Sequence, residues 1–326
     1  MLNGRHGSLV AVALIMLPAC LSSQMVARQI DTRNAGHRLR MTAYARKSPT
    51  SIKQSTVVFE SGLGGGEDHW RKVIDQLPKD VVAITYERPG MNGSEPDGVT
   101  PSPEHIATLL HTALAHVASP PYVLVGHSWG GPLVRAFAGL FPKEVSGLVL
   151  VEPTDFSESA EERKRYIYEP LGHGREGEQI RAAVDAYYAK QAGHFEPAVE
   201  AEIQMSRDET RGDFRDLNNL PMPLVPVVVI ATTRYPSTND SHLPVPYDQA
   251  RYQQLMLNYR LLSLGHFARS VPDGTLVTTG RSGHYVQEDE PALVAWSIRR
   301  VLHPVLPRPN TKIDKRRTSE NLLKGP

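Results

Sequence analysis

Ser128 sits at the centre of Gly126-His127-Ser128-Trp129-Gly130, a G-x-S-x-G spacing that holds a serine at the apex of a sharp turn. The apolar run Tyr122-Val-Leu-Val precedes it, and an amphipathic stretch from Pro132 to Phe141 follows. Strand, turn and helix in that order push the serine hydroxyl out at the carboxyl edge of a sheet. They also aim the free N–H groups of the helix start at whatever the serine attacks. Gly126 and Gly130 fit this because a helix crossing close to a strand leaves no room for Cβ atoms. The chemistry is that of a nucleophilic alcohol.

The elements needed to hold such a turn are present on both sides of it. Ser55 to Phe59 and Val81 to Tyr86 are continuous apolar runs, the pattern of strands buried on both faces. Arg38 to Lys47 alternates polar and apolar residues, as a half-exposed antiparallel strand does. Gly147 to Val151, Val225 to Ala231 and Thr275 to Thr279 supply further strands. Helices are expected from about Glu67 to Leu77, Pro103 to Val117, Asp248 to Leu264 and Glu290 to Leu302. Strands alternating with helices predict an α/β fold: a mostly parallel sheet with helices on both faces. The rhythm breaks between about 156 and 220, a charged stretch of helical character that reads as an insertion over the carboxyl edge, a lid.

The 326 residues carry a formal charge of +1, with 40% hydrophobic and 22% charged residues. That is globular composition, and its charge balance gives no reason to expect a nucleic-acid partner. A single cysteine, Cys20, excludes an internal disulfide and a cysteine metal cage. Arg5 and His6 precede the short apolar run Ser8 to Leu17, followed by Leu17-Pro18-Ala19-Cys20. This predicts a signal peptide over 1–20 and export to the cell envelope or beyond. Its end resembles the lipobox of bacterial lipoproteins, with Pro18 departing from the usual small residue. Membrane attachment through a lipidated Cys20 and plain secretion both follow as expectations. Residues 305–326 turn basic and polar and read as a disordered tail.

From 36 to 304 the chain resembles the α/β-hydrolase superfamily, in its serine hydrolase branch. The matching pieces stand in family order: Tyr86-Glu-Arg-Pro-Gly-Met-Asn-Gly-Ser94, Gly126-His-Ser-Trp-Gly130, Gly147-Leu-Val-Leu-Val-Glu-Pro153 and Ser282-Gly-His284. The resemblance implies that Ser128 attacks a carbonyl, a histidine takes its proton, and a carboxylate orients the histidine. Chain order points to His284 as the base, in a loop between the last strand and last helix, with His266 as a distant rival in a helix-to-strand loop. His127, beside the nucleophile, reads as structural. The acid position usual in the family, after Ala231, holds Arg234 or Tyr235. Glu152, at the end of the strand after the elbow helix, is therefore the favoured acid, with Asp240 and Asp155 as alternatives. The backbone N–H groups of Trp129 and Leu63 are the implied oxyanion donors, although Ser61-Gly62 stands where most relatives have His-Gly. Arg88 is expected to pack against a neighbouring acid rather than to bind a substrate carboxylate.

The expectation is a serine hydrolase of carboxylesterase type, acting on a small-molecule acyl substrate through an acyl-enzyme, with no metal and no cofactor. Acyl transfer and cofactor-free perhydrolysis stay open in the same fold. From another class, so does a ligand-binding protein that keeps the pocket without turnover.

Overall fold

In the computed structural model the strands are β1 (Met25–Asn34), β2 (His37–Arg46), β3 (Ser55–Glu60), β4 (Val81–Tyr86), β5 (Tyr122–His127), β6 (Val145–Val151), β7 (Pro226–Thr232) and β8 (Asp273–Thr279). They make one sheet in the order β1-β2-β4-β3-β5-β6-β7-β8. β1 and β2 pair antiparallel, as do β2 and β4. From β4 to β8 every pairing is parallel. The structure describes residues 25–34, 36–46, 54–171, 177, 179, 180, 182, 183, 186, 193–234 and 248–304. The Ser8–Leu17 run, Cys20, Asp240 and the tail from 305 lie outside the described residues. Among the described residues, no helix is long and apolar enough to cross a membrane.

The two-residue period of each central strand serves two cores. Tyr122 and Leu124 of β5, Leu148 and Leu150 of β6, and Val227 and Val229 of β7 join one buried cluster. Their neighbours Val123, Val125, Val149, Val151, Val228 and Ile230 join the other. Burial on both faces is why these strands read as unbroken apolar runs. Helix α1 (Arg71–Ile74) follows β3, α2 (Pro103–Leu114) follows β4, and α3 (Gly130–Leu140) follows β5. Helices α2 and α3 cover the first face, with Ile106, Leu110, Leu133 and Phe137 buried there. Ser102 caps α2 by accepting the His105 N–H at 3.1 Å, ahead of Pro103 in the first turn.

Between β6 and β7 the described elements are helical: α4 (Ala160–Arg163), one π-helical turn (Lys164–Tyr168), α5 (Glu169–Leu171), α6 (Pro197–Arg211) and α7 (Arg215–Asn219). Helix α8 (Gln249–Ser270) follows β7, and α9 (Val286–Asp289) and α10 (Pro291–Leu302) follow β8. With α1, α10 covers the second face, through Val73, Ile74, Val294 and Ile298.

Three elements differ from the sequence expectation. β1 precedes residue 36 and is absent from it, because an edge strand with Val26, Ala27, Arg28 and Gln29 exposed shows no apolar alternation. The helix expected over 67–77 is a 3₁₀ turn (Glu67–Trp70) and one helical turn, α1. Tertiary contacts account for the difference: the Glu67 N–H donates to Glu87 at 2.9 Å, and the Trp70 indole donates to Ser61 Oγ at 3.1 Å. Helix α8 runs on to Ser270, so His266 lies inside a helix rather than in a loop.

Candidate active site

Parallel strands deliver their carboxyl ends to one edge, and that edge carries the chemistry-bearing residues. Ser128 follows β5 directly and holds φ 50°. A left-handed conformation at a non-glycine residue is strained, and such strain concentrates at functional sites. The packing around it requires glycine at both flanking positions. A Cβ on Gly126 would sit 2.4 Å from the Gly130 carbonyl oxygen, and one on Gly130 would sit 2.5 Å from the Glu60 carbonyl oxygen. The Ser128 N–H is tied to the Val151 carbonyl at 3.1 Å, which seats the turn on β6.

Ser128 opens onto a cavity of about 240 Å³ whose lining includes Gly62, Leu63, His69, His284 and Tyr285. The loop after β3 packs closely against Ser128: a Cβ on Gly62 would be 3.2 Å from Ser128 Cβ and 2.9 Å from His127 Nδ1. A larger neighbouring cleft of about 350 Å³, lined by Glu67, Glu87 and Asn92, holds no serine or cysteine nucleophile.

The sequence-expected base therefore lines the same cavity as Ser128. Its loop is pinned from several directions. The Thr232 hydroxyl donates to the Ser282 carbonyl at 2.5 Å, and the Gly283 N–H donates to Asp289 at 3.2 Å. His127 Nε2 donates to the His284 carbonyl at 2.9 Å. Burial, and then His284, lower His127 to about 3, so at neutral pH it is an uncharged donor that holds the His284 backbone. Desolvation in the cleft, and then the Arg260 guanidinium, hold the His284 imidazole below its ordinary value. His266 is exposed on α8 and is not among the cavity's lining residues.

Glu152 follows β6 directly with φ 44°, a second strained residue at this edge. Its carboxylate is engaged: Arg260 Nη1 lies 2.9 Å from Oε1, and the Thr232 N–H donates to Oε2 at 2.7 Å. Burial raises its pKa, and Arg260 and the Thr232 N–H oppose the rise. Asp155 Oδ1 accepts from the N–H and hydroxyl of Ser157, while Oδ2 is buried without a partner. Among the described residues no carboxylate is hydrogen-bonded to the His284 ring; Asp240 lies outside them. No group of acidic, histidine or cysteine residues among the described ones has a metal-binding arrangement.

Arg88 is 3% exposed and faces two acids, in keeping with the expectation that it packs internally. It contacts Glu202 through Nε, and Nη2 donates to the other Glu202 oxygen at 2.9 Å. Nη1 lies 2.5 Å from Glu60. Its remaining donors go to the carbonyls of Ser61 at 2.9 Å and Gly62 at 2.7 Å. Burial alone would lower Arg88, but the two carboxylates outweigh it and hold it above its ordinary value. Burial pushes Glu60 up to about 7 against the pull of Arg88. Sequence reasoning missed His69, Tyr285 and Arg260 at this edge, and Glu202 beneath it. The His69 ring contacts Glu288 and stacks on Tyr285 at 5.4 Å.

Comparison with known proteins agrees with this fold. The family model described as the alpha/beta hydrolase family matches residues 57–295. A (lyso)-N-acylphosphatidylethanolamine lipase of Homo sapiens is 27% identical over 141 residues, which span 42% of this chain and 40% of that protein. Among solved structures, the carboxylesterase CesB (YbfK) from Bacillus subtilis aligns with a TM-score of 0.53 at 15% identity, covering 86% of this chain and 93% of that one. The epoxide hydrolase CorEH aligns with a TM-score of 0.56 at 15% identity, covering 86% of this chain and all (100%) of that one. At these identities the structural likeness carries the fold.

Proposed function

Because the chain belongs to the alpha/beta hydrolase family, we propose that it is a serine hydrolase, cleaving an ester- or amide-type carbonyl through an acyl-enzyme on Ser128. The observation that carries this is the strained Ser128, sharing one cavity with His284 and with the glycine loop after β3. An aspartate nucleophile does not fit, since the elbow holds serine. Ser128 Oγ attacks the carbonyl carbon as His284 takes the hydroxyl proton. The oxyanion is received by the N–H groups of Leu63 and Trp129, neither of which donates to a backbone acceptor among the described residues. The tetrahedral adduct collapses, and the leaving group departs with the proton from His284. Water, deprotonated by His284, then attacks the acyl carbon and restores Ser128.

Glu152 is the proposed acid. It sits at the end of the strand that follows the elbow helix, and its present partners are Arg260 and Thr232. Export through the 1–20 segment, either as plain secretion or with membrane attachment through a lipidated Cys20, is proposed from the sequence.

Hydrolysis of a small aryl ester tests the proposal through its pH profile. A base whose pKa is lowered from 6.5 stays unprotonated below that value, so the acid limb of kcat/KM is expected below pH 6.5. Arg260→Gln removes the neighbouring cation and is expected to move that limb to higher pH. No turnover across a panel of aryl esters would contradict the proposal. A limb above 6.5, or one that ignores Arg260→Gln, would contradict His284 as its source.

A further inference from the structure

Glu202 is one of only two residues buried on α6, and it is 2% exposed. Glutamate is almost never buried to that degree without a partner. Here the partners lie not in the insertion but in the loops at the sheet edge. One is the Arg88 guanidinium, held through Nε and Nη2. The other is the Gly64 N–H, which donates to Glu202 Oε2 at 3.0 Å.

Those two contacts flank the Leu63 N–H. Arg88 Nη2 donates to the Gly62 carbonyl at 2.7 Å, and that carbonyl belongs to the same peptide plane as the Leu63 N–H. In a trans peptide the two groups point in opposite directions, so fixing the carbonyl toward Arg88 turns the N–H away from it, and both Gly62 and Leu63 line the Ser128 cavity. Gly64, with φ +65°, is fixed on the other side. The start of α6 adds apolar contact at the same place. A Cβ on Gly64 would meet Val199 Cγ1 at 3.2 Å, and one on Gly90 would meet Ala198 Cβ at 2.8 Å.

We propose that Glu202 is a positioning residue that ties the docking of the insertion helix to the orientation of the Leu63 N–H, so that the oxyanion donors are complete only when α6 is seated. This rests on the serine hydrolase proposal and adds to it the coupling of insertion and donor loop. The two donors have different supports: Trp129 the elbow, and Leu63 both the local turn, in which the Gly65 N–H donates to the Gly62 carbonyl at 3.0 Å, and a side chain from about 138 positions further along the chain.

Glu202→Gln keeps the shape and an acceptor for Gly64 while weakening the hold on Arg88. Val199→Ala loosens the same docking at a half-buried position that folding tolerates. Both are assayed for kcat and KM on an aryl ester, per serine titrated with a fluorophosphonate, and for inhibition by an alkyl boronic acid, which adds to a serine as a charged tetrahedral adduct. A donor displaced by about 1 Å costs up to roughly 10²-fold. The expected result is a kcat loss of about 10- to 10²-fold for Glu202→Gln and several-fold for Val199→Ala, with KM within about twofold and boronate Ki raised in proportion to the kcat loss. A merely structural role would lower the titratable fraction and the melting temperature, leaving kcat per titrated site and Ki unchanged; that result in the variant that folds would overturn the proposal. If the parent protein itself neither turns over esters nor titrates, the serine hydrolase proposal fails first, and the coupling fails with it.

Discussion

Replacing Ser128 with alanine is expected to lower turnover of a small aryl ester by on the order of 10⁴-fold or more while the protein stays folded. His284→Ala is expected to cost a similar factor. In the proposed mechanism the two act as one unit: without the imidazole the alcohol is a weak nucleophile, and without the alcohol the imidazole has nothing to activate. The double variant is therefore expected to be no worse than either single one. Steady-state kinetics on the three variants, with circular dichroism to verify folding, checks this. Losses that multiply, or a Ser128→Ala loss below about tenfold, would mean that the two groups do not share a reaction.

The largest effect on stability is expected at Arg88. Its guanidinium makes five hydrogen bonds, to Glu60, Glu202 and the carbonyls of Ser61 and Gly62. Arg88→Met keeps much of the volume but leaves two carboxylates, each 2% exposed or less, without their cation. Removing one partner of a buried ion pair costs about 3–5 kcal/mol. Urea denaturation followed by tryptophan fluorescence is expected to register a loss of that size at neutral pH. The loss is expected to shrink at acid pH, where the stranded carboxyls take up protons and their burial as anions ends. A change below about 1 kcal/mol would mean that the network contributes little to folding.

The parts of this protein legible in its sequence are those decided locally. The elbow declares itself because a strand, a helix and a strained turn impose glycines at fixed spacing. The central strands declare themselves because burial on both faces leaves their middles as apolar runs, with polar residues near the ends. The loop carrying His284 was placed by its position between the last strand and the last helix. What stayed hidden depends on partners distant in the chain. Arg88 could be read as facing an acid, but Glu202 lies 114 positions away in a charged stretch, where one more glutamate carries no signal. Arg260 is hidden for the same reason, on a long helix that also carries the exposed Arg251 and Arg269. His127 was recognised as structural, but its contact with the His284 carbonyl spans 157 positions. β1 was missed because an exposed edge strand has no buried face to write a pattern.

Intact-protein mass spectrometry after exposure to a fluorophosphonate tests the central claim most directly. One phosphonyl adduct per chain is expected, mapped to Ser128 by peptide sequencing. It should be absent in Ser128→Ala and greatly slowed in His284→Ala. A folded parent protein that takes up no label, or takes it up on another residue, would contradict the assignment of Ser128 as an activated nucleophile.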